Sequence, residues 1–408
     1  MPRLWLINQF ANTPDLPGHT RQYEVAASLV NNGWDVSVFS SDFNLAQRKY
    51  RRLRFPQLAS KETPSGIHWF WLWVFPYRCN NWRRQLNMLS FCFHLALRLL
   101  PTGLFGILTG KGPNVILASS PQLPAAFTAL CIARLYHIPF VLEVRDLWPQ
   151  VLIDQCGKSR NNILVRLLSF MESYIYSHSS QLVVLAKGAV SYVEARGARH
   201  IEWLPNGPDL DLFIPTPLPP ERTNFKVLYA GAHGVANGLD NVIEAARLLE
   251  NKSLPISIQF LGDGPEKDKL IQLASDLNSV TFSEPVPKSL IPEIMADADA
   301  ILLSLIDVPL FRYAVSPNKL YDAYALGRPV ITTVPGDINT EVESYKLGFT
   351  ALPGIPEDLA FAIQQLFETS ILERKAMAER AVVLSKTVYS RQLINVRFNA
   401  LLRTVIGQ

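Results

Sequence analysis

Short apolar runs alternate with amphipathic stretches along the chain, and near Phe225 the pattern starts again. Arg3–Ile7 reads as a strand and is followed by a polar loop to about Thr20. Tyr23, Ala26, Ala27 and Val30 then recur at helical spacing, and Asn31-Asn32-Gly33 ends that helix. Strands are expected at residues 35–39, 68–74, 114–118, 140–144 and 182–185. The second series has strands at residues 226–229, 256–260, 300–303 and 329–332, with a helix at 239–249. This alternation predicts an α/β protein with parallel sheets covered by helices. Between the two series, Ile214-Pro215-Thr216-Pro217-Leu218-Pro219-Pro220 holds four prolines in six residues, which neither a helix nor a central strand accommodates. It reads as a stiff linker. The expectation is therefore two Rossmann-like domains facing across a cleft, the first over residues 1–210 and the second over 221–389.

A chain of 408 residues suits two cores better than one. Hydrophobic residues make up 48% and charged residues 18%, a globular balance, and a net charge of +4 is too mild to demand nucleic acid. The four cysteines, Cys79, Cys92, Cys131 and Cys156, form no CxxC pair and join no histidine cluster. That argues against a zinc site or a disulfide framework, so no metal is expected. The segment MPRLWLINQF lacks the features of a signal peptide, which makes the cytoplasm the expected location. Residues 88–108 are apolar, but His94, Arg98 and Pro101 interrupt them, so no spanning helix is expected there.

In open parallel sheets, ligands bind beyond the carboxyl ends of the strands, where helices begin. Five loops take that position. Thr13–Arg21 carries Gly18, which permits close backbone approach. Ala230-Gly231-Ala232-His233-Gly234 opens the second series at the equivalent place. Leu261-Gly262-Asp263-Gly264-Pro265 follows a strand. For these three, an ordinary turn accounts for the spacing as well as a ligand does. Ser316-Pro317-Asn318-Lys319-Leu320 opens a helix with a cation in its first turn, which opposes the helix dipole unless an anion binds there. Glu143-Val144-Arg145-Asp146 puts three charged groups at the end of an apolar strand, as a structural ion pair or as a site.

Six segments in order carry a resemblance: NQF…PGHTRQYEVAASLVNNGWDVSVFSSDF, EVRDLWP, LPNGPDLDLF, YAGAHGVANGLDNVIEAA, FLGDGPEKDKL and SPNKLYDAYALGRPVI. Over essentially its whole length the chain resembles bacterial family 4 retaining glycosyltransferases of the GT-B fold. Within that family it is similar to O-antigen and capsule transferases of the L-fucosamine transferase type. The resemblance implies that the second domain binds a nucleotide sugar and the first an acceptor. It places Gly18, His19, Arg21 and Arg145 with the acceptor, and Asp146 near the transferred sugar. Gly231, His233 and Gly234 would lie under the diphosphate, and Gly262, Asp263 and Gly264 beside the base. The last helix, residues 390–408, would return to the first domain. Two departures stand out. The Arg and Lys that usually follow the position of Gly231 are Ala232 or His233 and Asn237 here, and the usual pair of glutamates becomes Ala314 and Asp322. Lys319 and Arg312 are the replacement cations, with Pro317 and Asn318 supplying a helix start.

The implied reaction needs no cofactor beyond the donor, itself expected to be UDP-linked, and no metal. Lys319 and the backbone amides would stabilise the departing diphosphate; Asp322 would fix the ribose or the sugar hydroxyls, and Asp146 would orient the sugar or stabilise its cationic character. The expected acceptor is a saccharide on polyprenyl diphosphate, in surface polysaccharide or O-antigen synthesis. An anionic membrane surface is a second expected partner, met from the cytoplasmic side. Its expected contacts are the basic run at residues 47–55, the alternating Trp69, Trp71, Trp73 and Phe75, then Trp82, Arg83 and Arg84, and an apolar helix to Leu100. Competing readings are a sugar-nucleotide epimerase of the same fold, a dinucleotide oxidoreductase, for which GxGxxG is absent, and a non-catalytic sugar-binding subunit.

Overall fold

A computed structural model describes residues 1–16, 20–44, 47–54, 56–78 and 81–408. The chain forms two compact units, Met1–Leu204 with Asn395–Gln408, and Pro205–Ile394. Among the described residues the first unit is built on an eight-stranded sheet. Its order is Ile201–Trp203, Gln181–Val184, Phe140–Val144, Val115–Ser119, Arg3–Ile7, Asp35–Ser41, His68–Leu72, Ala59–Glu62. Neighbours run parallel except at the last pair, where Ala59–Glu62 lies antiparallel to His68–Leu72. The central strands are buried on both faces, which is why they read as unbroken apolar runs.

The second unit has a parallel six-stranded sheet, in the order Val280–Ser283, Ile256–Leu261, Phe225–Ala230, Ala300–Leu303, Val330–Thr332, Gly348–Thr350. Its core centres on Val227, Tyr229, Ile258 and Phe260 and is closed by the helices Leu239–Asn251 and Pro356–Glu368. The last helix, Arg391–Val405, belongs to the first unit from Asn395 onward. There Asn399 accepts a 2.8 Å hydrogen bond from the Trp34 indole, and Arg397 pairs with Glu202 at 2.5 Å.

Three expectations change. The proline-rich segment lies inside the second unit, not between two units. The buried guanidinium of Arg328 holds it, donating to the carbonyls of Thr216 (2.9 Å) and Pro217 (2.9 Å) and to that of Ala296 (2.7 Å). The fork of the guanidinium satisfies carbonyls of a segment whose prolines lack the N–H that a ladder needs. Trp69 and Trp71 are buried with their rings tilted 34° and 5.3 Å apart, so their alternation marks a strand's inner face and offers nothing to a membrane. The Trp69 indole donates to Ser40 at 2.7 Å. Finally, the helix expected to stop at Leu100 runs from Trp82 to Leu108 with Pro101 inside it. By length and composition it is apolar enough to cross a membrane. In the basic run, Arg52 pairs with Asp15 and Glu62 and is held in the fold; Phe55 lies outside the described residues.

Candidate active site

In the second unit, a cavity of about 390 Å³ opens at the carboxyl ends of Phe225–Ala230 and Ile256–Leu261. Gly231, Gly262, Asp263, Lys319 and Asp322 line its polar side. Pro285, Val286, Ile291 and Met295 form an apolar wall that the sequence reading missed. The wall lies in residues with no strand or long-helix period, so no pattern marks it in advance.

Two glycine loops make the cavity floor, and their closeness explains the glycines. Gly231 N–H donates to the Leu261 carbonyl at 2.9 Å, and His233 N–H to the Asp263 carbonyl at 2.8 Å. Gly262 has φ +142°, and a Cβ there would collide with the Gly231 carbonyl. A Cβ at Gly264 would meet the His233 backbone. Gly264 and Gly234 therefore shape the loops without lining the cavity; Gly234 begins the short turn Val235–Asn237.

Lys319 dominates the polar side. It lies in the first turn of the helix Asn318–Leu326, which starts after Pro317 with no side-chain cap. Its ammonium rests 4.1 Å from the centroid of the Tyr229 ring. A Cβ at Gly231 would lie 2.7 Å from that ammonium, so the glycine makes room for the cation. Among the described residues no carboxylate stands within ion-pair distance of Lys319. Burial lowers its pKa from the ordinary lysine value to about 8. A desolvated cation at a helix N-terminus is doubly disfavoured, by lost water and by the dipole, and an anion would relieve both.

The other expected donor groups stand elsewhere. The His233 ring is fully buried near Tyr229, Phe260 and Phe282, with ring centroids 6.1–6.2 Å away, and neither ring nitrogen has a hydrogen-bond partner among the described residues. Burial, and after it the charge of Lys267, push its pKa below the ordinary histidine value. An unpaired imidazole among aromatic rings acts there as an aromatic. His233→Phe is expected to keep the melting temperature or raise it, with transfer retained; a loss of several degrees by calorimetry would oppose that role. Arg312 is exposed, pairs with Asp307 at 3.2 Å and does not line the cavity. Pro317 and Asn318 open the helix and also lie outside the lining.

In the first unit, Glu143 is buried at the end of Phe140–Val144. Arg21 Nε donates to it at 2.9 Å, the Ser119 hydroxyl at 2.7 Å and the Gln22 amide at 3.1 Å. Arg21 also donates to the Leu204 carbonyl, and Arg145 reaches the Gln22 carbonyl oxygen at 3.4 Å. Burial would raise the Glu143 pKa, but Arg21, Arg145 and Ser119 hold it below the ordinary carboxylate value. Arg21 and Arg145 are thus parts of one network; Ser119 and Gln22 are members that spacing did not reveal. The Ser120 hydroxyl accepts the Arg145 N–H at 2.8 Å and shapes the turn that leaves Asp146 exposed. Gly18 and His19 lie outside the described residues. Among the described residues no three His, Cys, Asp or Glu side chains converge as a metal site would require.

The pattern of the "Glycosyl transferase 4-like domain" matches residues 18–207, and that of "Glycosyl transferases group 1" matches residues 224–369. The chain is a family 4 glycosyltransferase. It is 23% identical over 316 residues to the probable glycosyltransferase WbjE of Pseudomonas aeruginosa, spanning 74% of this chain and 75% of that protein. It is 27% identical over 206 residues to the putative colanic acid biosynthesis glycosyltransferase WcaL of Escherichia coli, about half of each chain. Among solved structures, sucrose-phosphate synthase from Thermosynechococcus elongatus superposes with a TM-score of 0.76 at 14% identity over the full length of both chains. Anabaena HepE, solved with UDP, superposes at 0.70 with 16% identity, over 99% of this chain and 100% of that one. The fold is GT-B. Membership in a transferase family sets aside the oxidoreductase and non-catalytic sugar-binding readings.

Proposed function

We propose that this glycosyltransferase binds a UDP-linked sugar in the cavity of its second unit and transfers the sugar with retention of configuration. One observation carries the reading: the Lys319 ammonium, desolvated and without a carboxylate partner among the described residues, faces a cavity floored by glycine backbone. That is a site prepared for a diphosphate. Lys319, the first-turn amides of Asn318–Leu326 and the Gly231 loop stabilise the negative charge that grows on the departing phosphate oxygens. The apolar wall from Pro285 to Met295 gives a planar base a surface to lie on, and Asp322 accepts from ribose or sugar hydroxyls. HepE, a protein of the same fold, binds UDP.

The acceptor hydroxyl attacks from the face that the diphosphate leaves, and a departing phosphate oxygen takes its proton. No protein nucleophile takes part. The sugar is an N-acetylated hexosamine or deoxyhexosamine, and the acceptor is a saccharide on polyprenyl diphosphate at the cytoplasmic face of the membrane. The name of WcaL, a putative colanic acid biosynthesis glycosyltransferase, supports a place in surface polysaccharide synthesis.

A nucleotide-sugar panel tests the donor. A UDP-sugar at about a hundredfold excess over its Kd should stabilise the chain by about 2.7 kcal/mol in thermal unfolding. Stabilisation by GDP- or dTDP-sugars but not by UDP-sugars would remove the uridine assignment. The anomeric coupling in the product, read by NMR, decides retention.

A further inference from the structure

The helix Trp82–Leu108 is fastened to the first unit along one stripe and bare along the other. Asn87, Phe91, Leu95, Leu99, Gly103 and Gly106 are buried. The Asn87 amide donates to the Phe75 carbonyl at 2.7 Å and its oxygen accepts from Gln9 at 2.6 Å. A Cβ at Gly103 would strike the Tyr136 ring and one at Gly106 the Gly112 backbone, so the helix lies against its neighbours without a gap. A helix held this tightly does not leave the domain to span a bilayer.

Its other stripe is apolar and faces water. Trp82, Leu86, Leu89, Phe93, Leu97 and Leu100 recur every three or four residues, and Leu104 and Leu108 continue the stripe. Phe93 is 61% exposed, Leu97 55% and Leu108 77%. At 1.5 Å per residue the stripe runs for about 40 Å, beyond what a soluble surface ordinarily leaves bare. A second helix, Ile163–His178, exposes Ile163, Leu164, Leu167 and Phe170. Both pack on the helix Leu123–Leu135, which itself exposes Leu135.

Charge identifies the occupant. From residue 63 to residue 142 the chain contains no Asp or Glu, yet it holds Arg78, Arg83, Arg84, Arg98, Lys111 and Arg134. Arg83 and Arg98 are exposed on the helix itself, and Lys158, Arg160 and Arg166 flank the exposed start of the second helix. A symmetric dimer through this stripe would set arginines against their own copies. An anionic lipid surface meets both the apolar stripe and the cations.

We infer that the outer stripe of Trp82–Leu108, with the exposed start of Ile163–His178, is a lipid-facing surface that lies flat in the headgroup region of an anionic bilayer. It replaces Trp69 and Trp71 as the membrane contact and leaves the chain peripheral. The inference deepens the lipid-linked acceptor reading, but its test measures binding and not turnover, so either can fail alone.

The test is flotation of the full chain with vesicles of phosphatidylethanolamine and phosphatidylglycerol, and with neutral phosphatidylcholine vesicles. The chain should float with the anionic vesicles at low salt and be released by alkaline carbonate. Phe93→Glu with Leu97→Glu, both outward-facing, should cut partitioning at least tenfold while the circular dichroism spectrum and transfer to a soluble acceptor are kept. Arg83→Gln with Arg84→Gln should cut it by about tenfold and flatten its salt dependence. Undiminished flotation of the Phe93/Leu97 variant would overturn the proposal, as would carbonate-resistant retention of the unmodified chain. So would a lipid-free dimer that this variant converts to monomer.

Discussion

Lys319→Ala is expected to lower turnover by about a hundred- to a thousandfold while the chain still folds, the scale seen when one charge-stabilising donor is removed from a transition state. Lys319→Met should do the same: it keeps the stem over Tyr229 and removes only the charge. Among the described residues the cation has no carboxylate partner to leave stranded, so neither variant should lose stability. The pH dependence separates this role from a structural one. Burial holds the folded pKa of Lys319 at about 8, below the ordinary lysine value. For a base with a depressed folded pKa, the cost to folding is fully present below the folded value. It disappears as pH rises through about 8 toward the unfolded value of roughly 10.4. The variants should therefore gain stability over the parent near neutral pH and lose that advantage above pH of about 10. Diphosphate binding has the opposite sense: it needs the protonated amine, so UDP affinity should fall as pH climbs past about 8. That decline should be missing in both variants. Near-normal transfer by purified Lys319→Ala, or a UDP affinity whose fall above pH 8 survives the substitution, would sink the assignment.

Glu143→Ala should destabilise the first unit by about 3–5 kcal/mol, the range for removing one partner of a buried ion pair. It leaves Arg21 without its carboxylate, frees the Ser119 and Gln22 donors, and opens space beside the strand. Glu143→Gln should cost less, about 1–3 kcal/mol, because an amide oxygen still accepts from Ser119 while one charge goes unmatched. Since the folded pKa of Glu143 is depressed, its contribution is present above the ordinary carboxylate range and is lost as pH falls below it. Denaturant unfolding should thus show the parent and Glu143→Gln converging in acid and separating near neutrality. An unfolding midpoint for Glu143→Ala equal to that of the parent would show that the network holds nothing together.

The residues that spacing marked best are those whose physics is local. Central strands such as Phe140–Val144 and Ala300–Leu303 are buried on both faces and read directly as apolar runs. Edge strands did not. Ala59–Glu62, of sequence ASKE, stands half in water, carries polar side chains and has no apolar period to find; Val280–Ser283 alternates Val280 and Phe282 with Thr281 and Ser283, but four half-buried residues are too short a run to mark a strand. Lys319 was legible because a cation in the first turn of a helix is a local contradiction that calls for an anion. His233 was misplaced because loop spacing says which residues sit near a strand end but not which way a ring turns. Phe260, Phe282 and Tyr229 decide that from other parts of the chain. The proline-rich segment was read from its own backbone limits, which hold; its attachment depends on Arg328, about a hundred residues further on.

The sequence by itself determined the two-part α/β plan, the glycine loops at strand ends and the cation at a helix start. Each follows from side-chain period, backbone freedom or dipole sign within a few residues. Only the tertiary structure decided which tryptophans are core, which stripe of Trp82–Leu108 faces water and what surrounds Lys319. Burial is set by contacts between segments far apart in the chain, and no short window of sequence holds both sides of such a contact.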